Sequence, residues 1–173
     1  MRLGAICVTA FIIMFAVPAH AQLTEVGLQL TARVLGFMER PLTGTVRLGV
    51  IYIPNDASSI QGADAVISLL GTGLRAGNLL FTPVRVRIDQ AAAAPVDAFF
   101  LPDGLGDQAK PIIEAEQKKK VPCITFDLAQ VRNGICVLGL QIVPKVQIYV
   151  SRVAAANSDT TFVSMFRMMI TED

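Results

Sequence analysis

The sequence is short of the side chains on which most enzyme and metal chemistry depends. Tryptophan is absent, cysteine occurs three times, and the one histidine is His20. His20 lies within residues 1–21, which we predict to be removed, so the mature chain would lack an imidazole. That loss excludes Ser-His-Asp and Cys-His catalysis and histidine-based metal sites. We therefore expect no metal centre and no cofactor.

Residues 1–21 have the pattern of a cleavable export signal. Arg2 gives a positive start, and the uncharged apolar run that follows ends in an A-x-A signature at Ala21. The mature chain would then begin at Gln22. A membrane anchor is the alternative, but it needs about 20 apolar residues, and this run is shorter. We expect one periplasmic domain that spans residues 22–173.

The balance of charge gives little support for binding to nucleic acids. The chain has 15 basic and 14 acidic residues, and removal of Arg2 would leave no net charge. Three consecutive lysines at 118–120 form the most basic run. The solvated end of a helix explains such a run better than a binding site does. We therefore expect no nucleic-acid partner.

Cys123 and Cys136 are the cysteines that remain after residues 1–21 are removed. An even pair in an oxidising compartment is most simply a disulfide, and closing that loop would contribute ~3 kcal/mol. Two buried free thiols are the alternative. The sequence leaves both open, because it does not show whether the two Cα atoms come close enough.

Helical and strand patterns alternate along the rest of the chain. This order predicts an α/β fold: a single-domain three-layer sandwich whose mostly parallel sheet carries an antiparallel edge hairpin, as in flavodoxin-like domains. The predicted helices are 24–38, 59–73 and 105–120, and the predicted strands are 45–53, 79–88, 96–101, 121–126, 134–143 and 145–150.

The tail at 161–170 predicts a final helix. Phe162, Met165, Phe166 and Met169 recur there at helical spacing. A stripe of phenylalanine and methionine is more often part of a core than of a ligand site. We therefore expect these four side chains to be buried.

Polar residues follow three of the predicted strands and form the best candidate for a ligand site. Ligands of open α/β sheets bind beyond the carboxyl ends of the strands. Helix capping and turn formation would explain the same residue types, and the sequence leaves that alternative open. The candidates are Asn55, Asp56, Ser58 and Ser59 after the first strand, Asp103 after the third and Asp127 after the fourth.

The common catalytic motifs are missing from the sequence. It contains no G-x-S-x-G, no P-loop and no G-x-G-x-x-G. Asp103 and Asp127 could form a carboxylate pair, but two loop aspartates are weak support for an enzyme. We interpret the chain as a binding or regulatory protein.

Several short motifs between residues 46 and 140 occur in a characteristic order. They are Tyr52 with Pro54, Ser58 with Ser59, Val96-Asp97-Ala98, Pro102 with Asp103, and Gly134 with Gly139. In this order they resemble one lobe of the periplasmic solute-binding proteins of ABC transporters. The resemblance implies a small-molecule ligand. Such proteins close two lobes on their ligand, whereas the length of this chain predicts a single lobe.

The end of the chain resembles a second family. Four segments follow one another as in the YfiR-like periplasmic proteins. They are a glycine-rich strand, an alternating strand at 146–150, the alanines at 154–156 and the apolar segment 162–170. That similarity implies a disulfide and a regulatory partner in the inner membrane, either a diguanylate cyclase or a histidine kinase. Regulation is our first expectation, and a single-lobe solute-binding protein is the alternative. A homodimer is left open.

Overall fold

An eight-stranded sheet runs through residues 23–172, the part of the chain that the computed structural model describes. The predicted export signal and its cleavage between Ala21 and Gln22 lie outside these residues. The strands are β1 (Gly44–Tyr52), β2 (Leu74–Ala76), β3 (Leu79–Arg87), β4 (Ala98–Leu101), β5 (Cys123–Thr125), β6 (Leu138–Gln141), β7 (Gln147–Val150) and β8 (Thr171–Glu172).

Helices connect these strands and cover the sheet. The α-helices are α1 (Glu25–Leu35), α2 (Ala57–Leu70), α3 (Pro111–Lys119), α4 (Leu128–Arg132), α5 (Arg152–Ser158) and α6 (Ser164–Arg167), and short 3-10 helices span Ile88–Ala93 and Gly106–Ala109. The predicted helix at 105–120 is therefore two pieces. Its α-helical part begins at Pro111, where the missing N–H of proline costs no hydrogen bond.

The strand order confirms the predicted α/β class. The sheet runs β2-β3-β1-β4-β5-β6-β7-β8. β3, β1, β4, β5 and β6 are parallel, whereas β2 pairs antiparallel with β3, and β7 with β6. The predicted antiparallel hairpin is thus present as β6 and β7. The two-residue β8 pairs with β7 and lies beyond the hairpin.

Two apolar clusters, one on each face of the sheet, make the predicted three layers. Successive side chains of a strand point to opposite faces, and β1 shows this alternation. Val46, Leu48 and Val50 belong to the first cluster, which α1 and α2 cover. Ile51 belongs to the second cluster. Both faces of β1 are therefore buried, as expected of a central parallel strand.

The same alternation continues in β4, the neighbour of β1. Phe100 belongs to the first cluster and Phe99 to the second. Ile112 and Ala115 of α3 complete the second cluster from the other side. The sheet thus separates two cores along its central strands.

The predicted disulfide is present. Cys123 in β5 is bonded to Cys136, which precedes β6, and their Cα atoms lie 4.6 Å apart. Both residues are fully buried in the second apolar cluster. The bond therefore ties together two neighbouring strands inside the core.

The C-terminal stripe is only half buried, which corrects the prediction for its methionines. Phe162 and Phe166 are buried, and Phe166 stacks on Phe37 with ring centroids 4.9 Å apart. Met165 and Met169 are 69% and 60% exposed. The prediction was wrong because α6 is a single turn, so the predicted stripe does not lie along one continuous helix.

Candidate functional site

The direction of the parallel strand order reverses at β1. The chain passes from β1 through α2 to β3 on one side, and then to β4 on the other side of β1. Ligands of open α/β sheets bind beyond the carboxyl ends of the strands at such a reversal. A cavity of about 550 Å³ lies beside this point, between α2 and the carboxyl ends of β4 and β5.

The cavity has an aromatic floor and a helical wall. Phe100 at the end of β4 and Phe126 after β5 meet edge to face, with ring centroids 5.4 Å apart. Leu23 and Pro102 add further apolar surface. The residues that α2 contributes to the wall are Ser58, Gln61, Gly62, Ala65, Val66 and Leu69.

Two glycines allow the helices to approach this end of the sheet closely. A Cβ atom on Gly62 would lie 3.1 Å from Cβ of Pro102, which is tighter than an ordinary contact. A Cβ atom on Gly27 in α1 would lie 2.9 Å from Cζ of Phe126. A side chain at position 62 would require Pro102 or α2 to give way slightly. One at position 27 would require a larger shift, of α1, of Phe126 or of Ile142, whose Cδ1 would lie only 2.6 Å from the new atom. Both glycines lie inside helical patterns, where the sequence does not reveal a close approach.

The structure brings two of the six predicted site residues to the cavity, Ser58 and Asp103. Asp56 instead caps α2, because its Oδ1 accepts a hydrogen bond from the Ser59 N–H at 3.0 Å. Ser59 is buried, and its Oγ accepts a hydrogen bond from the Ile53 N–H at 2.8 Å. Asp56 and Ser59 therefore hold the start of α2 against the end of β1.

The other two predicted residues also serve the backbone. Asn55 has a φ of +67° in the turn before α2, a conformation that asparagine tolerates better than most residues. Asp127 caps α4, since its Oδ1 accepts a hydrogen bond from the Ala129 N–H at 2.9 Å. Capping and turn formation, the alternative that the sequence left open, account for these contacts.

Sequence reasoning missed the aromatic floor of the site, as well as the apolar wall and Gln61. The search for candidates considered polar side chains after strands, whereas Phe100 belongs to the apolar run of β4 and Phe126 directly follows β5. Both nevertheless stand at carboxyl ends of parallel strands. An aromatic residue at such a strand end was therefore the available signal.

A buried carboxyl group lies away from the cavity, on α3. Glu116 is fully buried, and its Oε1 accepts a hydrogen bond from the Cys123 N–H at 2.9 Å. Its Oε2 has no hydrogen-bond partner among the described residues. Burial raises the pKa of Glu116 to about 9, because the charged form is poorly solvated there. We therefore expect this side chain to be neutral at pH 7.

Residues 23–172 contain no cluster of three His, Cys, Asp or Glu side chains that could hold a metal ion. Within the same residues, no helix is both long and apolar enough to cross a membrane. Among the described residues, the side chains that line the cavity offer apolar contact, hydrogen bonding and one carboxylate.

Comparisons with known proteins show the fold. No family model matches the chain, and no curated protein matches it. An ABC domain in complex with L-Trp from Streptococcus pneumonia is 11% identical, with a TM-score of 0.57 over 83% of this chain and 59% of that one. A conserved domain protein from Vibrio cholerae O1 biovar eltor is 12% identical, with a TM-score of 0.57 over 86% and 59%.

The chain thus spans 59% of the length of each of these two proteins. At such low identity the likeness concerns the fold alone, an α/β domain with a mostly parallel sheet. It agrees with the predicted resemblance to a lobe of solute-binding proteins. The similarity to the YfiR-like proteins stays a prediction.

Proposed function

We propose that this chain is a non-enzymatic periplasmic domain that binds a small molecule in the cavity between α2 and the ends of β4 and β5. The observation that carries the proposal is an aromatic-floored cavity at the reversal of strand order. Its volume of about 550 Å³ suits a small ligand, and its few polar groups among apolar walls are typical of such sites. The neighbour that holds L-Trp supports a small-molecule ligand on this fold.

Filling the cavity from α2 should abolish ligand binding. Ala65 is exposed on the cavity wall, so Ala65→Phe would place a ring in the cavity without entering the core. We expect an aromatic amino acid such as L-Trp to raise the Tm of the wild type, since a ligand at 100 times its Kd stabilises by ~2.7 kcal/mol. The variant should lose this shift while its ligand-free Tm stays near that of the wild type.

Ser68→Phe is the matched control for that variant. Ser68 is also exposed on α2, but it does not line the cavity, so the thermal shift should persist. The proposal fails if aromatic amino acids, sugars and nucleosides all leave the wild-type Tm unchanged. It also fails if both phenylalanine variants keep the full shift.

An exposed methionine surface, formed by Met168 and Met169, favours a second candidate function, that of a regulatory protein. Met168 is 81% exposed and lies between α6 and β8, beside the exposed Met169. Methionine side chains adapt to varied surfaces, and exposed apolar groups often mark protein-binding sites. The similarity to the YfiR-like proteins implies a diguanylate cyclase or a histidine kinase of the inner membrane as the partner.

A charge introduced on this methionine surface should weaken binding to the partner. Tagged wild-type protein should enrich a diguanylate cyclase or a histidine kinase from solubilised membranes. Met168→Asp should weaken binding to this partner by about 1.4 kcal/mol, which corresponds to a roughly tenfold loss of affinity. Val26→Asp places the same charge on an exposed valine of α1 and should leave the enrichment unchanged. If the wild type enriches neither class of protein, the regulatory function is excluded.

A further inference from the structure

The ring of Phe126 is held in place at the cavity, which bears on the kind of ligand that fits; the inference rests on the proposed small-molecule function. Phe126 and Phe100 both line the cavity and meet at an angle of 78° between their ring planes. The far end of the Phe126 ring lies against α1, since a Cβ atom on Gly27 would lie 2.9 Å from its Cζ and 3.4 Å from its Cε2. Contacts with β4 and α1 therefore fix this ring before a ligand arrives.

The wall that α2 contributes differs in kind from this aromatic floor. Its apolar side chains are all aliphatic, and they belong to Ala65, Val66 and Leu69. Aliphatic groups contact flat and puckered rings alike, whereas an aromatic ring has an electron-rich face and a positive edge that favour particular arrangements with a second aromatic ring. Selection between ring types therefore comes from the floor, from Phe100 and Phe126.

Of the two rings, Phe126 offers more surface to a ligand, because it is 5% exposed and Phe100 is 1% exposed. An aromatic ligand can pack against Phe126 offset or edge to face, and such pairs gain more than the buried area accounts for. A saturated ring with the same carbon skeleton buries at least as much apolar surface, so burial alone would not favour the aromatic compound. A preference for the aromatic compound would thus report contact with an aromatic ring of the floor.

We propose that the cavity takes ligands that carry a flat aromatic ring, and that Phe126 is the residue that selects them over saturated rings of the same size. Because Phe100 and α1 already hold the Phe126 ring, binding a ligand costs it little freedom. The gain expected of one aromatic pair corresponds to about a three- to tenfold difference in Kd. The selection acts on the ring system and needs no charge on the ligand, so neutral compounds display it.

Naphthylethanol and its fully hydrogenated counterpart test the proposal, since they share a carbon skeleton and a neutral hydroxyl group. The chain contains no tryptophan, so naphthalene fluorescence can be titrated without that background, and the saturated compound is measured by displacement. The wild type should bind naphthylethanol about three- to tenfold more tightly than the saturated compound. In Phe126→Leu the two Kd values should come within about twofold of each other, because naphthylethanol alone loses an aromatic partner.

Leu69→Ala is the matched control, because it also widens the cavity but leaves both rings in place. The preference should persist in this variant; its loss there, or its persistence in Phe126→Leu, overturns the inference. Equal binding of the two compounds to the wild type also overturns it, even if Phe126→Leu does not fold, and leaves the proposed function in place. If neither compound binds, the inference is overturned, and the proposed function then stands or falls on the thermal-shift screen with aromatic amino acids, sugars and nucleosides.

Discussion

Raising the pH from about 5 to about 8 should destabilise the wild-type protein by several kcal/mol and leave Glu116→Gln almost unaffected. Glu116 is fully buried, and burial raises its pKa from the ordinary 4.5 to about 9. The folded state therefore keeps a proton across this window that the unfolded state has lost. Since the unfolded state binds fewer protons, stability falls as pH rises, by at most ~1.4 kcal/mol per pH unit.

Other side chains contribute little in this window. The carboxyl groups of Asp89, Asp97, Asp159 and Glu172 have pKa values lowered by their arginine partners, so their stabilisation is already nearly complete at about pH 5. Histidine is absent from residues 23–172. Glutamine at position 116 keeps an oxygen that can accept the Cys123 N–H but cannot ionise. The change in the free energy of unfolding with pH should therefore come from Glu116.

Urea unfolding at several pH values across this window measures the slope. Glu114→Gln on the same helix is the control, because Glu114 is exposed and its loss should leave the wild-type slope in place. Equal slopes for the wild type and Glu116→Gln would mean that Glu116 ionises normally in the folded state.

The central strands could be predicted because burial on both faces gives them continuous apolar runs. Within the predicted strands 45–53 and 96–101, residues 48–53 and 98–101 form such runs, and they correspond to β1 and β4. β2 and β8 were missed because strands of three and two residues are too short to show a period. The burial of Glu116 was missed because this residue lies in the mostly polar segment 114–120, which has the composition of a solvated helix face.

The sequence predicted where the candidate site lies better than it predicted which residues line it. Strand ends pointed to Ser58 and Asp103, which line the cavity, but also to Asp56 and Asp127, which cap helices. Aspartate serves both purposes with the same oxygen atoms. Only the packing of α2 over the end of β4 decides which aspartate faces a ligand, and that packing depends on contacts distant in sequence.

Removing the Cys123–Cys136 bond should lower the free energy of unfolding by about 3 kcal/mol. The bond joins residues 13 positions apart and so limits the freedom of the unfolded chain. The double variant Cys123→Ala/Cys136→Ala removes it without leaving a lone thiol. Urea unfolding at neutral pH measures the loss, and the wild type in excess reductant should unfold close to the midpoint of the variant.

The same double variant separates the disulfide from its buried neighbour. Glu116 accepts a hydrogen bond from the backbone N–H of Cys123, and alanine at this position retains that N–H. The stability of the variant should therefore depend on pH with the same slope as that of the wild type. A slope lost together with the bond would mean that the disulfide, rather than the helix, holds Glu116 in its buried position. A loss of less than about 1 kcal/mol, or two titratable thiols in the denatured, unreduced wild type, would contradict the disulfide's expected contribution to stability.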